Sequence, residues 1–214
     1  SRSPEPSDTA PPERQTPAFD LQAAWEALEK LKGYYGEFHV RWEGGRDGAP
    51  AAGRFDMELL QSRDPAAQEA FVSLYPDGAA TRDVVAWVQI GDQGWFYRQS
   101  RADTWQETSA RTLQAHAGPT LITPEELFDD FTLHIEAPTP PEPERANGVL
   151  AYVYHFDDQD FSAKTMGFSD AYGSVSVSAE GGYLVSFSLI ADVTGCDGDG
   201  VLDAGTLQVR FDVS

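Results

Sequence analysis

Near its start the chain changes the period at which apolar residues recur. Leu21, Trp25, Leu28 and Leu31 are spaced by four and three, opposite Glu26, Glu29, Lys30 and Lys32. This spacing predicts an amphipathic helix with Asp20 as N-cap and Gly33 as the C′ stop. From Tyr34 the period becomes two. Tyr34, Phe38, Val40 and Trp42 share one face, Glu37, His39 and Arg41 the other, and Gly44–Gly45 follow as turn material. Phe55, Met57 and Leu59 repeat the arrangement against Arg54, Asp56 and Glu58. Such alternation belongs to half-buried antiparallel strands. Further strands are predicted at Ala70–Tyr75, Val84–Ile90, Trp95–Gln99, Phe131–Ile135, Val149–Phe156, Gly173–Ser178, Tyr183–Asp192 and Leu207–Val213. Turn signals at Pro76-Asp77-Gly78, Gly91 to Gly94, Asn147-Gly148, Gly181-Gly182 and Gly198-Asp199-Gly200 divide them. A second short helix is predicted at Thr123–Asp130, where Thr123 is an N-cap, Pro124 the first helical residue and Glu126 the partner in a capping box. Ala137–Arg145, with Pro138, Pro140, Pro141 and Pro143, reads as a loop.

About ten strands in succession with little helix between them cannot form a parallel α/β sheet, because parallel neighbours need long crossovers. The predicted class is α+β, a meandering antiparallel sheet with a few short helices. A sheet of roughly ten strands twists and tends to curl. Its inner face, written by Phe38, Val40, Trp42, Phe55, Met57, Leu59, Tyr152, Tyr154, Tyr183, Val185, Phe187, Val209 and Phe211, is too large for two short helices to cover. Either side chains fill the remainder or an apolar hollow is left for a ligand.

Residues 1–18 are rich in Pro, Ser, Thr and charge and hold no large apolar side chain before Phe19, so they read as a flexible tether to one domain spanning 19–214. The 35 Asp+Glu against 15 Lys+Arg give a net charge of −20. That charge repels phosphate backbones and excludes nucleic acid as a partner. No apolar run is long enough to span a bilayer as a helix. Cys196 is the only cysteine, which excludes an intrachain disulfide and a multi-cysteine metal site.

Cys196-Asp197-Gly198-Asp199-Gly200-Val201-Leu202-Asp203 contains alternating carboxylates around a glycine, hard oxygen ligands that suit calcium. Asp197, Asp199 and Asp203 are therefore the candidate metal ligands, and calcium is the one cofactor the sequence suggests. Aligned on Gly200, an EF-hand-type loop would begin at Gly195 and end at Thr206, so its first and last ligands are missing. An acidic hairpin tip is the plainer alternative. Nothing in the chain reads as catalytic. His39, His116, His134 and His155 are scattered, and His39 and His155 alternate with apolar neighbours, which places them on the outer sheet face. Gly167-Phe168-Ser169-Asp170-Ala171 only half-matches a nucleophile elbow. The carboxylates of Asp157, Asp158 and Asp160, and of Glu125, Glu126, Asp129 and Asp130, would serve glycoside chemistry only if they faced each other across a cleft. Trp87, Trp95 and Trp105 fall among hairpins where exposed rings could line a carbohydrate or lipid opening, ordinary packing being the plainer alternative.

Two stretches carry a resemblance. Arg145-Ala146-Asn147-Gly148-Val149-Leu150-Ala151-Tyr152-Val153-Tyr154-His155-Phe156, and Gly173-Ser174-Val175-Ser176-Val177-Ser178-Ala179-Glu180-Gly181-Gly182-Tyr183-Leu184-Val185, resemble strand motifs of the LolA-like half-barrel superfamily, which includes LppX-type and LprG-type surface lipoproteins. The first helix and the Ile90-Gly91-Asp92-Gln93-Gly94-Trp95 hairpin fall in matching places. The chain departs from that pattern at Ser176, where a bulky aromatic is common, and in lacking the lipid-modified cysteine, expected upstream of Ser1. The resemblance implies a long curved antiparallel sheet, a half-barrel, wrapping around a few short helices. It also implies an exported, cell-envelope domain, periplasmic or lipid-anchored to the outer face of the membrane. Such a domain would be monomeric and non-catalytic and would hold a lipid or other hydrophobic molecule. The expected ligand wall is Trp25, Phe38, Trp42, Phe55, Met57, Tyr152 and Phe187. The alternatives are a cell-surface scaffold or sensor that binds a protein, and a glycan hydrolase.

Overall fold

A computed structural model of the chain describes residues 19–76, 83–91, 94–100, 102–109, 111–112, 123–135, 141–196 and 202–214. Residues 1–18, predicted to be a tether, lie outside them, as do Asp197, Asp199 and His116. Among the described residues, thirteen strands and two helices follow one another as α1 (Leu21–Glu29), β1 (Gly33–Arg46), β2 (Ala49–Arg63), β3 (Ala66–Pro76), β4 (Asp83–Ile90), β5 (Trp95–Arg98), β6 (Gln106–Thr108), α2 (Pro124–Asp130), β7 (Phe131–Leu133), β8 (Glu144–Ala146), β9 (Val149–Asp157), β10 (Phe161–Ala163), β11 (Met166–Ser178), β12 (Leu184–Cys196) and β13 (Ala204–Val213).

Eleven strands form one open antiparallel sheet in the order β6-β5-β4-β3-β2-β1-β13-β12-β11-β9-β8, while β7 and β10 pair in a separate ribbon. The predicted α+β class and antiparallel sheet are correct. The single meander is not: β1 pairs with β13, Phe38 opposite Phe211 and Val40 opposite Val209, so two meanders join where the first and last strands meet. The strand predicted at Phe131–Ile135 leaves the main sheet to pair with β10, Phe131 opposite Ala163.

Local chemistry explains most element ends. The Asp20 carboxylate accepts a hydrogen bond from Ala23 N at 3.0 Å, starting α1. The helix stops through the Lys30 and Leu31 amides, which donate to Ala27 O and Leu28 O. Gly33 is thus not its C′ stop but the first residue of β1, where an added Cβ would lie 2.8 Å from Gln61 O. Gly44–Gly45 likewise lie within β1. A Cβ on Gly44 would meet Ala204 O at 2.1 Å, so the glycine serves a close approach of β1 and β13. The turn falls instead at Asp47-Gly48, both with positive φ (53° and 76°), a two-residue hairpin connection. Asn147-Gly148 makes the predicted turn in the same way, with φ of 46° and 86°. At α2 the Thr123 hydroxyl accepts from Glu126 N at 3.2 Å and the Glu126 carboxylate accepts from Thr123 N at 3.1 Å, the predicted capping box. The loop predicted over Ala137–Arg145 ends early, because Glu144 and Arg145 begin β8 and pair with Ala151 and Leu150.

Strand pairing aligns apolar residues in rows across the sheet. One row reads Met57, Phe38, Phe211, Phe187, Val175, Tyr154 from β2 to β9. The next reads Phe55, Val40, Val209, Leu189, Gly173, Phe156. This face meets the buried side of α1, made by Leu21, Ala24, Trp25 and Leu28, and that of α2, made by Leu127 and Phe128. Among the described residues no helix is long and apolar enough to cross a membrane.

Candidate functional site

The site rises from the middle of that apolar face. Phe38, Phe211 and Phe187 stand side by side on β1, β13 and β12. Gly36 leaves room for the Phe211 ring, since a Cβ there would lie 3.1 Å from it. Phe128 descends from α2 onto this row, edge-on to Phe187 at 5.3 Å and to Phe211 at 5.6 Å between ring centroids. Trp25 of α1 closes the group at 5.0 Å from Phe128 and 5.6 Å from Phe211. Edge-to-face pairing sets the positive rim of one ring against the negative face of the next. The aromatic layer continues through Phe131, Phe156 and Phe161 toward the ribbon, Phe131 and Phe161 being 4.9 Å apart.

The cover over this layer is tied together at its polar edge. Gln22 Nε2 on α1 donates to Asp129 Oδ1 on α2 at 3.1 Å. Lys164 Nζ donates to Asp129 O, and Thr165 N donates to Asp130 Oδ1 at 2.9 Å, fastening the end of α2 to the turn between β10 and β11. Capping at both ends of α2 and these bonds hold Phe128 over the sheet.

Of the seven expected wall residues, Trp25, Phe38, Phe55, Met57 and Phe187 are brought into this group, each at most 3% exposed. Phe55 meets Phe38 at 6.1 Å, and Met57 sits beside Phe38 in register. Trp42 lies further along β1, its ring over Gly53, where an added Cβ would meet Trp42 Cζ2 at 2.3 Å. Tyr152 is half-buried on β9 opposite Val177. Phe128 and Phe211, both fully buried, are the hub that the expected wall omitted. The sequence signal for Phe128 was its place in the helix fixed by the Thr123 capping box, and that for Phe211 was its alternation in β13.

Polar groups around the layer respond to burial. The Tyr34 phenol, buried beside the end of α1, is pushed up to about 12 from 10.0, chiefly by burial and then by the charges of Glu29 and Glu125. Burial, and then repulsion from Glu125, raises the Glu29 carboxyl. Burial also raises the Tyr154 phenol. Inside the layer, the Trp25 indole N–H is buried with no hydrogen-bond partner among the described residues. An unmade hydrogen bond on a buried donor costs about 1–3 kcal/mol, so this N–H is a point where an acceptor would be welcome.

The other predicted chemistry is dispersed. Asp203 Oδ2 accepts from Asp47 N at 2.6 Å and Asp203 N donates to Gly45 O at 2.9 Å, so this carboxylate braces the tip of the β1–β2 hairpin. Its two proposed companions, Asp197 and Asp199, lie outside the described residues, among which no three His, Cys, Asp or Glu side chains converge. Ser169 lies within β11 and not on an elbow between strand and helix. Asp157 and Asp160 cap the β9–β10 turn, Asp157 Oδ1 accepting from Gln159 N at 2.9 Å. Trp87 is not an exposed ring but 5% exposed in the core, Trp95 is half-buried, and Trp105 stacks under the Arg98 guanidinium at 4.3 Å. His39 and His155 do stand on the outer face, and His134 is exposed. Compared with protein-family models and with curated proteins, the chain matches none.

Proposed function

We infer that the chain is a non-catalytic carrier of a lipid or other hydrophobic molecule, exported to the cell envelope. The ligand would be held between the apolar sheet face and the cover made by α1, α2 and the β7–β10 ribbon. In this reading the sheet bends around that cover as a half-barrel. The observation that carries it is the unpartnered indole N–H of Trp25 within an otherwise apolar, aromatic layer. A ligand with one acyl chain and an ester or carboxyl oxygen answers both features, the chain lying against Phe38, Met57 and Phe187 and the oxygen accepting from Trp25 Nε1. Each methylene moved from water into the layer contributes about 0.8 kcal/mol, and no covalent step is needed.

Entry requires α1 and α2 to lift away from the β12–β13 row, and the Gln22–Asp129 hydrogen bond and the Lys164 contacts at the rim set the resistance. Native mass spectrometry of the purified chain, followed by organic extraction, tests the reading. It predicts a co-purified acyl lipid and, after delipidation, saturable uptake of palmitate that Trp25→Phe weakens by about tenfold. Absence of lipid together with no uptake of palmitate by a chain that still melts cooperatively would overturn it.

A further inference from the structure

The opposite face of the same sheet carries a second arrangement, independent of the apolar layer. Strand register lines up two polar rows there. One runs Asp56, His39, Arg210, Ser188, Ser174, His155 from β2 to β9, and the other Arg54, Arg41, Gln208, Ile190, Tyr172, Asp157. Between them lies a cleft of about 480 Å³. Its lining includes three of the chain's arginines, Arg41, Arg54 and Arg210, and no carboxylate, in a protein whose net charge is −20.

The cations are not equivalent. Arg54 Nε donates to Asp56 Oδ2 at 2.9 Å and stacks over Tyr75 at 4.2 Å, and Arg210 is paired with Asp212. Arg41, exposed between them, has no hydrogen-bond or ion-pair partner among the described residues. A second, smaller cleft of about 210 Å³ also opens at Arg41, beside Trp42, Thr206, Gln208 and one carboxylate, Glu43. At the other end of the large cleft the Tyr172 ring stands 56% exposed in the middle of a sheet, next to Ile190. Between the ends the hydroxyls of Ser174 and Ser188, 3.0 Å apart, and the Gln208 amide offer both donors and acceptors.

We propose that this cleft is a binding site for an acidic oligosaccharide. Its carboxylate pairs with the free guanidinium of Arg41, its hydroxyls meet Ser174, Ser188 and Gln208, and one sugar ring lies on Tyr172. Charge complementarity selects the acid: a guanidinium fork matches a carboxylate in two parallel hydrogen bonds. An exposed aromatic ring offers an apolar face that sugar C–H groups can cover while their hydroxyls stay wet. Three strand steps separate Arg41 from Tyr172, roughly 14 Å at the usual spacing, the length of a short oligosaccharide. The site faces away from α1 and α2, so its occupancy and that of the apolar layer are separate events.

Isothermal titration of the full chain with galacturonate trimer, neutral galactotriose and a hexaglutamate peptide tests this. The trimer should bind saturably and weaken with added salt, while galactotriose binds at least tenfold more weakly. Arg41→Gln and Tyr172→Ala, both exposed surface changes, should each weaken the trimer tenfold or more with an unchanged melting midpoint. Equal affinity for the hexaglutamate peptide would assign the cleft to an acidic protein segment and overturn the saccharide reading. Absence of trimer binding, or indifference of that binding to both substitutions, would overturn it as well.

Discussion

Phe128→Ala is the perturbation most revealing of how the cover is held. Phe128 is fully buried and touches Trp25, Phe187 and Phe211 through ring pairs of 5.0, 5.3 and 5.6 Å, so it joins α1, α2 and two strands. Truncating it removes on the order of 150 Å² of buried apolar surface, worth about 4 kcal/mol at the usual coefficient. Losses for buried Phe→Ala changes generally run from about 3 to 5 kcal/mol, since neighbours close only part of the cavity. The assay is urea unfolding followed by far-UV circular dichroism, with Phe128→Leu as a milder companion expected to lose less than half as much. A cycle combining Phe128→Ala with Trp25→Ala should reveal a coupling of about 0.5–1.5 kcal/mol, the usual worth of one aromatic pair. Palmitate should then stabilise Phe128→Ala more than the unaltered chain, because the vacated volume adjoins the proposed ligand layer. A loss below about 1 kcal/mol, less than a well-packed buried ring can contribute, would refute the argument that α2 is docked through this side chain.

Three further outcomes follow from other parts of the molecule. The Tyr34 phenol, at 10.0 when unfolded, is pushed up to about 12 by burial on folding, so its contribution is intact below pH 10 and lost as pH rises toward 12, by on the order of 3 kcal/mol. Tyr34→Phe should flatten that part of the alkaline unfolding curve, and an unaltered slope would contradict the burial of the hydroxyl. Gly53→Ala drives a Cβ into the Trp42 ring and should cost about 1–3 kcal/mol by thermal melting, and Trp42→Leu in the same chain should recover part of the loss. Thr123→Ala breaks the capping box of α2 and should cost about 1 kcal/mol in the same melt, with Thr123→Ser nearly neutral.

How legible these features were depends on the range of the interaction that makes them. The two-residue alternation of β1 and β2, the Asn147-Gly148 turn and the Thr123 capping box are local, so the residues themselves announce them. Pairing of β1 with β13 is not local. Phe38 and Phe211 meet across nearly the whole chain, and nothing in either strand names its partner. Strands β6, β8 and β10, of three residues each, are too short to show an alternation. Gly44 and Gly45 carried the composition of a turn, yet their lack of side chains serves the approach of β13. The burial of Phe38, Phe55, Met57 and Phe187 was readable because burial follows alternation, whereas the hub position of Phe128 needed the packing of α2. The outer cleft gathers Arg41, Arg210, Ser188 and Tyr172 from β1, β13, β12 and β11, so no stretch of sequence displays it.

The carrier reading is tested most directly at the Trp25 indole, whose ¹H–¹⁵N resonance can be assigned by its loss in Trp25→Phe. On addition of ¹³C-labelled palmitate to the delipidated chain, that resonance should move downfield as the N–H gains an acceptor, and acyl protons should show cross-relaxation with Met57 and the Phe187 ring. A Trp25 resonance that stays fixed at saturating palmitate, with no acyl contact to either side chain, would contradict the account.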